Sequence, residues 1–293
     1  RDELQKERER IAKEKEKLEK EKKRIAISGA GGKMGCALLH SIARLDWCEL
    51  VAAIEAPNSN LIGLDAGELL KNRNFGVTIQ GSLDQMSEEI DVLIDFSVPA
   101  ATLNNIEFCS SHSIPIVIGT TGFASSDEEQ IDVASKIIPI CYSANYSAGI
   151  NLCFDLIERA TEVLGKDADV EIIESHHRGK VDAPSGTALA MGETIAGRLD
   201  RDLSDIAEYG RVGDVGPRDR DSIGFSVIRA GNIVGEHTVM FAVDGEILEI
   251  THKASDREAF CSGALRAARW LIGRAPSLYS MRDVIANSGR KSQ

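Results

Sequence analysis

The stretch "RIAISGAGGKMG", residues 24–35, decides how this chain folds. Its first half, Ile25 to Ser28, is short and β-branched, and its second half crowds glycines before the helical pattern of Met34, Leu38, Leu39 and Ile42. A strand, a tight turn and a helix follow one another. Glycines in such a turn let the backbone approach a pyrophosphate, whose charge the amides opening the helix receive. The spacing is G-x-G-G-x-M-G rather than G-x-G-x-x-G, and a glycine turn with no ligand is common. The next strand adds weight: "ELVAAIE" ends in Glu55, 20 positions past Gly35, where a carboxylate accepts from adenosine ribose hydroxyls. Together they predict a dinucleotide-binding unit.

Working outward, "IDVLIDFSVP", "IPIVIGTTGF" and "IIPICYSANYS" are apolar runs, each stopping at small, polar or glycine residues. Such repetition predicts an α/β, Rossmann-type parallel sheet covered by helices, with its ligand at the carboxyl ends of the strands. Gly119, Thr120 and Thr121, then Ser143 to Tyr146, stand at that edge; taken singly, each is equally a plain β-to-α loop. After Tyr146 the pattern changes. A helix is expected from about Ile150 to Leu164, then the strand "ADVEIIES", and later "SIGFSVIRAGNIVGEHTVMFAVDGEILEITHKA" alternates apolar and polar residues around turns that include Asp244 and Gly245. That alternation reads as antiparallel strands of a second, α+β domain. A helix from Arg257 to Ile272 and the tail "MRDVI" return to the first. The expected division is a charged extension over 1–23, a dinucleotide domain over 24–147 and 257–293, and a second domain over 148–256.

The leading segment differs from the rest. Residues 1–24 hold 11 Lys or Arg and 8 Asp or Glu, a net of +3, which leaves −15 of the total −12 for the remainder. Glu9 and Lys13, Glu16 and Lys20, and Glu19 and Lys23 are spaced to support a helix. Leu4, Ile11, Leu18 and Ile25 recur every seven residues, but the second apolar position of each heptad is charged, so the seam is poor. A solvated appended helix is expected rather than an oligomerisation helix. In the whole 293-residue chain, 43% hydrophobic and 27% charged residues suit a soluble globular protein. No apolar run approaches the roughly 20 residues of a membrane span, and the N-terminus lacks a signal peptide's apolar core, so a cytoplasmic protein is expected. The six cysteines form no C-x-x-C pair, which speaks against zinc or a disulfide framework and for buried thiols; no metal is expected. A net charge of −12 opposes nucleic-acid binding and favours a small-molecule partner.

The densest chemistry lies in "ESHHRGKVDAPSGTA", residues 174–188. On composition alone a charge run is a solvated surface. Here, however, Pro184 ends the run and Ser185 is a good N-cap for "GTALAMGETIAGRL", so the amides of Gly186 and Thr187 are placed to hold an anion such as a carboxylate. Lys180 and one histidine upstream supply a cation and a proton donor, as a carboxylated substrate receiving hydride at carbon requires. Neighbouring cations are expected to depress one another's pKa, easing proton release near neutrality.

"GAGGKMG", "GTTGF", "ESHHRGKVDAPSGTA" and "RAGNIVGEH", in this order and at these separations, closely resemble dihydrodipicolinate reductase, now termed 4-hydroxy-tetrahydrodipicolinate reductase; the likeness covers about residues 24–286. The resemblance implies an enzyme of the diaminopimelate route to lysine, reducing a cyclic, dicarboxylate imine-type substrate with NADH or NADPH as a homotetramer built largely from the second domain's sheet. It makes His176 the proton donor or acceptor and Lys180 the second acid. His177, Ser185, Gly186 and Thr187 hold the substrate. Gly29, Ala30, Gly31, Gly32, Lys33, Met34, Glu55, Gly119, Thr120, Thr121, Ser143, Ala144, Asn145 and Tyr146 contact the cofactor. Arg178 reads as structural or field-setting.

Family members with good NADPH use carry an arginine just after the acidic ribose residue, and some another in the segment aligned with "DFSVP"; here those positions are Ala56 and Val98. NADH is therefore expected to be preferred, although Lys33 in the glycine turn is placed to swing toward a 2'-phosphate and recover part of the loss. Two other readings stay open. A semialdehyde dehydrogenase shares the dinucleotide domain but needs a nucleophilic cysteine where "SANYSAG" has Asn145, and a non-catalytic dinucleotide sensor that kept the fold would be favoured by loss of His176 or Lys180, neither of which is lost.

Overall fold

The computed structural model describes residues 22–70, 73–84 and 90–288. The charged segment over 1–21 lies outside them, as does the expectation of a helix there. The described residues divide into two compact units, one of residues up to 144 together with those from 261 on, the other of residues 145–260.

In the first unit the glycine turn joins β1 (Lys23–Ser28) to α1 (Lys33–Ile42). The strands β2 (Cys48–Ile54), β3 (Ile79–Gln80), β4 (Val92–Asp95), β5 (Ile116–Ile118), β6 (Pro139–Tyr142) and β12 (Ser277–Tyr279) complete a seven-stranded sheet in the order β12-β6-β5-β4-β1-β2-β3. Every pairing is parallel. All of β4 and β5 is buried, which explains why these strands read as unbroken apolar runs rather than alternating ones. Ala26, Leu93, Ile116, Ile118 and Ile140 form one core cluster of the sheet. Each leucine or isoleucine side chain among them contributes about 1.5 to 3 kcal/mol when fully buried. The chain leaves β1 toward β2 on one side and crosses to β4 on the other, so the strand order reverses at β1/β4. That reversal opens a crevice at the carboxyl ends of the strands, and the glycine turn sits in it. α2 (Pro99–His112) and α3 (Ser125–Ser135) follow β4 and β5. Proline at the first helical position of α2 gives up no intrahelical bond.

The second unit carries α4 (Ala148–Leu164), β7 (Asp169–His176), α5 (Gly186–Arg198), α6 (Leu203–Ile206), β8 (Ala207–Tyr209), β9 (Ile223–Arg229), β10 (Gly235–Val243) and β11 (Glu246–Ala254). Their strands form a five-stranded sheet in the order β11-β10-β7-β9-β8. The antiparallel expectation holds for β10 and β11, which meet at Asp244 and Gly245, and for β10 on β7. It fails for β9, which runs parallel to β7 and to β8. Alternation fixes which face of a strand is buried, not which neighbour it pairs with, and β7 inserts between β9 and β10. Ile157 of α4, Met191 and Ile195 of α5, and Ile172, Phe225, Val239 and Phe241 of the sheet make one core cluster. α7 (Glu258–Leu271) and α8 (Met281–Ser288) close the described chain. The short β3, β8, β12 and α6 were not foreseen from the pattern.

Candidate active site

At the crevice of the first unit, Gly29 has φ +79° and no room for a Cβ against the Phe96 carbonyl. A side chain at Gly35 would collide with the carbonyls of Gly29 and Ala30, so α1 packs close to the turn. The N-cap of α1 is Gly32, with no side-chain cap and no acidic residue in the first turn, which leaves its opening amides to an anion. Glu55 is set by the turn itself: its Oε2 accepts from the Gly31 amide at 2.8 Å and its Oε1 from the Ala56 amide at 3.0 Å. The remaining lone pairs face a cleft of about 790 Å³ lined by Ser28, Gly29, Gly32, Glu55, Phe96 and Val98 among others. This constellation fits a dinucleotide. Lys33 and Thr121 are exposed, Ala30 is buried and Met34 half-buried. Gly119 faces the Phe96 ring so closely that a Cβ there would overlap it.

Beneath this edge is a polar network that sequence reasoning missed. Asp95, fully buried at the end of β4, accepts from the Ser97 amide at 3.0 Å, Ser97 Oγ at 2.6 Å, Asn105 Nδ2 at 2.8 Å and Thr120 Oγ1 at 3.3 Å. Asn105 Nδ2 also reaches Ser28 Oγ at 2.9 Å, at the end of β1. The Thr120 hydroxyl further accepts from Thr102 Oγ1 and from the Ser97 amide, both at 3.0 Å, so it turns inward. Burial pushes the Asp95 carboxyl up, and its donors oppose that only in part. The signal was present in "DFS": an aspartate closing an apolar strand with a serine two residues on makes an Asx-type turn.

Ser143, Ala144, Asn145 and Tyr146 straddle the division between the units. The Ser143 amide donates to Ile118 O, while Asn145 Oδ1 accepts from the Ser147 amide at 2.9 Å and the Tyr146 ring is buried. Ser147 caps α4 by accepting from the Ile150 amide.

In the second unit β7 delivers Glu174 and His176 and α5 delivers its N-terminus. Ser185 is the N-cap, its hydroxyl accepting from the Ala188 amide at 3.2 Å. Helix geometry leaves the amides of Gly186 and Thr187 without an intrahelical acceptor. Glu174, 1% exposed, holds the site together: its Oε2 takes His176 Nδ1 at 2.6 Å, Arg229 fills both oxygens at 2.8 and 2.7 Å, and the Ser185 amide donates to Oε1 at 3.0 Å. Burial works to raise the Glu174 carboxyl, but the bonds from Arg229, His176 and Ser185 outweigh it and hold it below its ordinary value. Lys180 Nζ lies 2.8 Å from the Asp182 carboxylate, which that bond lowers. His177 is half-buried in the intervening turn, its carbonyl accepting from the Lys180 amide, and Arg178 is exposed, its amide donating to Gly231 O.

The expected cluster of mutually repelling cations is thus corrected. His176 and Lys180 each face a carboxylate, and His237, which was not singled out, bonds through Nε2 to Ser185 Oγ at 2.9 Å. Five of the six cysteines are buried, whereas Cys36 is half-buried.

The family profile "Dihydrodipicolinate reductase, N-terminus" matches residues 23–146, and "Dihydrodipicolinate reductase, C-terminus" matches residues 149–285. A relative from Saccharophagus degradans named 4-hydroxy-tetrahydrodipicolinate reductase is 49% identical over 262 residues, 89% of this chain and 98% of its own. One of the same name from Pseudomonas fluorescens is 52% identical over 263 residues, again 89% and 98%. The chain belongs to the dihydrodipicolinate reductase family.

As a member of that family it is an NAD(P)H-dependent oxidoreductase, and its N-terminal part is the family's nicotinamide-dinucleotide domain. Among solved structures, the dipicolinate-bound dihydrodipicolinate reductase of Paenisporosarcina sp. TG-14 superposes with a TM-score of 0.72 at 23% identity, covering 89% of this chain and 99% of that one. The DAP dehydrogenase of C. glutamicum gives 0.52 at 12%, covering 90% of this chain and 96% of that one. At such identities the likeness is one of fold. Among the described residues no helix is long and apolar enough to cross a membrane.

Proposed function

We propose that this reductase converts 4-hydroxy-tetrahydrodipicolinate to tetrahydrodipicolinate in the diaminopimelate route to lysine, with NADH preferred over NADPH. The observation that carries the reading is Glu174, whose one carboxylate binds both the proposed proton donor, His176, and the amide of Ser185 at the anion-holding end of α5. Gly186 and Thr187 offer amides to a substrate carboxylate, and His177 and Ser185 border them. With Nδ1 fixed on Glu174, His176 presents Nε2 as the atom that moves the proton. Lys180 is the second acid, held by Asp182 until an anionic substrate competes for it. When bound, reduced nicotinamide would supply hydride to a ring carbon, with one proton taken up and the hydroxyl lost as water. Gly29 to Met34, Glu55, Gly119 to Thr121 and Ser143 to Tyr146 are the proposed cofactor contacts, the inward-turned Thr120 and buried Tyr146 through their backbone.

The preference for NADH is supported by Ala56 and Val98, which leave a 2'-phosphate beside Glu55 without a guanidinium. A homotetramer is supported by the second unit, where Leu152, Leu156, Val163 and Leu248 leave an apolar groove exposed between α4 and β11. The six free cysteines suit the reducing cytoplasm. The deciding experiment is a coupled assay with freshly generated 4-hydroxy-tetrahydrodipicolinate, following loss of reduced nicotinamide. Turnover no greater than the enzyme-free blank refutes the reading.

A further inference from the structure

We infer that His237 is a positioning residue of this site: it ties the anion-holding end of α5 to His176 and closes a ring of four residues. One arm is the 2.9 Å bond between its Nε2 and Ser185 Oγ. The other is its ring, set edge-on to that of His176 with centroids 5.1 Å apart and planes at 73°. The circuit returns through Glu174, which takes His176 Nδ1 on one oxygen and the Ser185 amide on the other. Register makes this possible, because His237 of β10 stands directly opposite Glu174 of β7.

Packing alone does not explain the residue. His237 is 5% exposed, and its Nδ1 is buried with no hydrogen-bond partner among the described residues. An orphaned buried nitrogen costs stability that an apolar side chain of similar shape would not. Burial first, and His176 second, push His237 down to about 4. The ring is therefore neutral through the physiological range, so it bonds Ser185 without adding positive charge of its own beside His176. The histidine thus has two separable arms, one on the element that holds the substrate anion and one on the proton donor.

The inference rests on the function proposed above, and its two arms make different kinetic predictions. His237→Phe keeps a ring against His176 and removes the bond to Ser185. His237→Gln offers an amide to Ser185 and removes the ring. Both are made in the full-length enzyme, and dipicolinate is titrated calorimetrically with NADH present, alongside kcat and KM. For His237→Phe, dipicolinate Kd and substrate KM are expected to rise about tenfold with kcat held within about threefold. For His237→Gln, Kd stays within about threefold while kcat falls about tenfold. In a Ser185→Ala background the effect of His237→Phe on Kd should vanish, because its route has gone.

Equal losses in Kd and kcat for the two variants, values within about twofold of the parent, or an undiminished Phe effect in the Ser185→Ala background each overturn the assignment. Should His237→Phe lose its circular dichroism signature of folding, the Gln variant decides alone. A selective kcat loss then supports the role, and an unchanged or indiscriminate profile refutes it. A parent enzyme with neither turnover nor dipicolinate binding refutes the proposed function itself, whereas an active parent with indifferent variants refutes only His237.

Discussion

Replacing Glu174 by Gln is the sharpest test of the second unit's architecture. The carboxylate accepts four bonds: His176 Nδ1 and one Arg229 nitrogen on Oε2, the other Arg229 nitrogen and the Ser185 amide on Oε1. An amide in its place has one acceptor oxygen. Whichever way it turns, its NH2 faces two donors and Arg229 loses its counter-charge. Removing one partner of a buried ion pair costs about 3 to 5 kcal/mol. With Glu174 1% and Arg229 19% exposed, water relieves little of this. For a chain of this size such a loss lowers Tm by on the order of 10 °C. The sign with pH follows from the folded state holding Glu174 below its ordinary value. Its stabilisation is fully present above the unfolded pKa of about 4.3 and fades as pH falls through the folded value. Calorimetry from neutral to acid pH should therefore show a Tm gap between parent and variant that is flat near neutrality and closes below about pH 4.5. Because His176 also loses the carboxylate that fixes its tautomer, kcat should fall by about 10²-fold. A neutral-pH gap smaller than about 2 °C, or one that persists in acid, would refute the reasoning.

Other perturbations reach separate parts of the site. His176→Ala and Lys180→Ala should each lower kcat by about 10²-fold or more with NADH affinity nearly unchanged; near-normal kcat in both returns the basic loop to a solvated surface. NADH should give the higher kcat/KM at matched ionic strength, by about tenfold, since even one missing charge-assisted bond to the 2'-phosphate has that effect; a ratio at or above unity in favour of NADPH defeats the argument from Ala56 and Val98. Asp95→Asn turns an NH2 toward either the Ser97 and Thr120 donors or the Asn105 Nδ2 donor, so NADH binding, followed by fluorescence titration, should weaken by about tenfold; an unaltered Kd shows that the network does not shape the cofactor edge.

How much of this was legible in the sequence depends on the distance over which each feature is encoded. The glycine turn lies within a dozen residues, and its strand, turn and helix could be read directly, as could the Ser185 cap and the hairpin at Asp244 and Gly245. The sheet order could not. Nothing in the alternation of "SIGFSVIR" tells whether its neighbour is β7 or β10, and the parallel choice brings Arg229 beside Glu174. Glu174 and His176 were in plain view, but their partners come from the strands flanking β7 on either side. Arg229 stands on β9 and His237 on β10, so only the assembled order shows that they meet. Asp95 was hidden for another reason: at the end of an apolar run it reads as a strand terminus, and its donors lie on α2 and in the loops after β4 and β5.

The pairing of the cations bears on how a dicarboxylate is recognised by a chain of net charge −12. Read as sequence, the loop looked like a positive patch. In the fold, Glu174 is shared by His176 and Arg229, Lys180 leans on Asp182, and His237 is neutral. Much of the loop's positive charge is thereby matched by carboxylates, and Arg178 remains exposed. What remains is direction: two amides at the end of α5, a tautomer fixed by a carboxylate, and a lysine whose counter-ion sits 54% exposed and is correspondingly cheap to displace. On the proposed function, fixed donors of this kind act where the substrate's carboxylates would sit and not on anions in general. They also need no rearrangement as charge shifts during proton transfer. The same economy governs the other unit, where two backbone amides hold Glu55 so that its free lone pairs face the cleft.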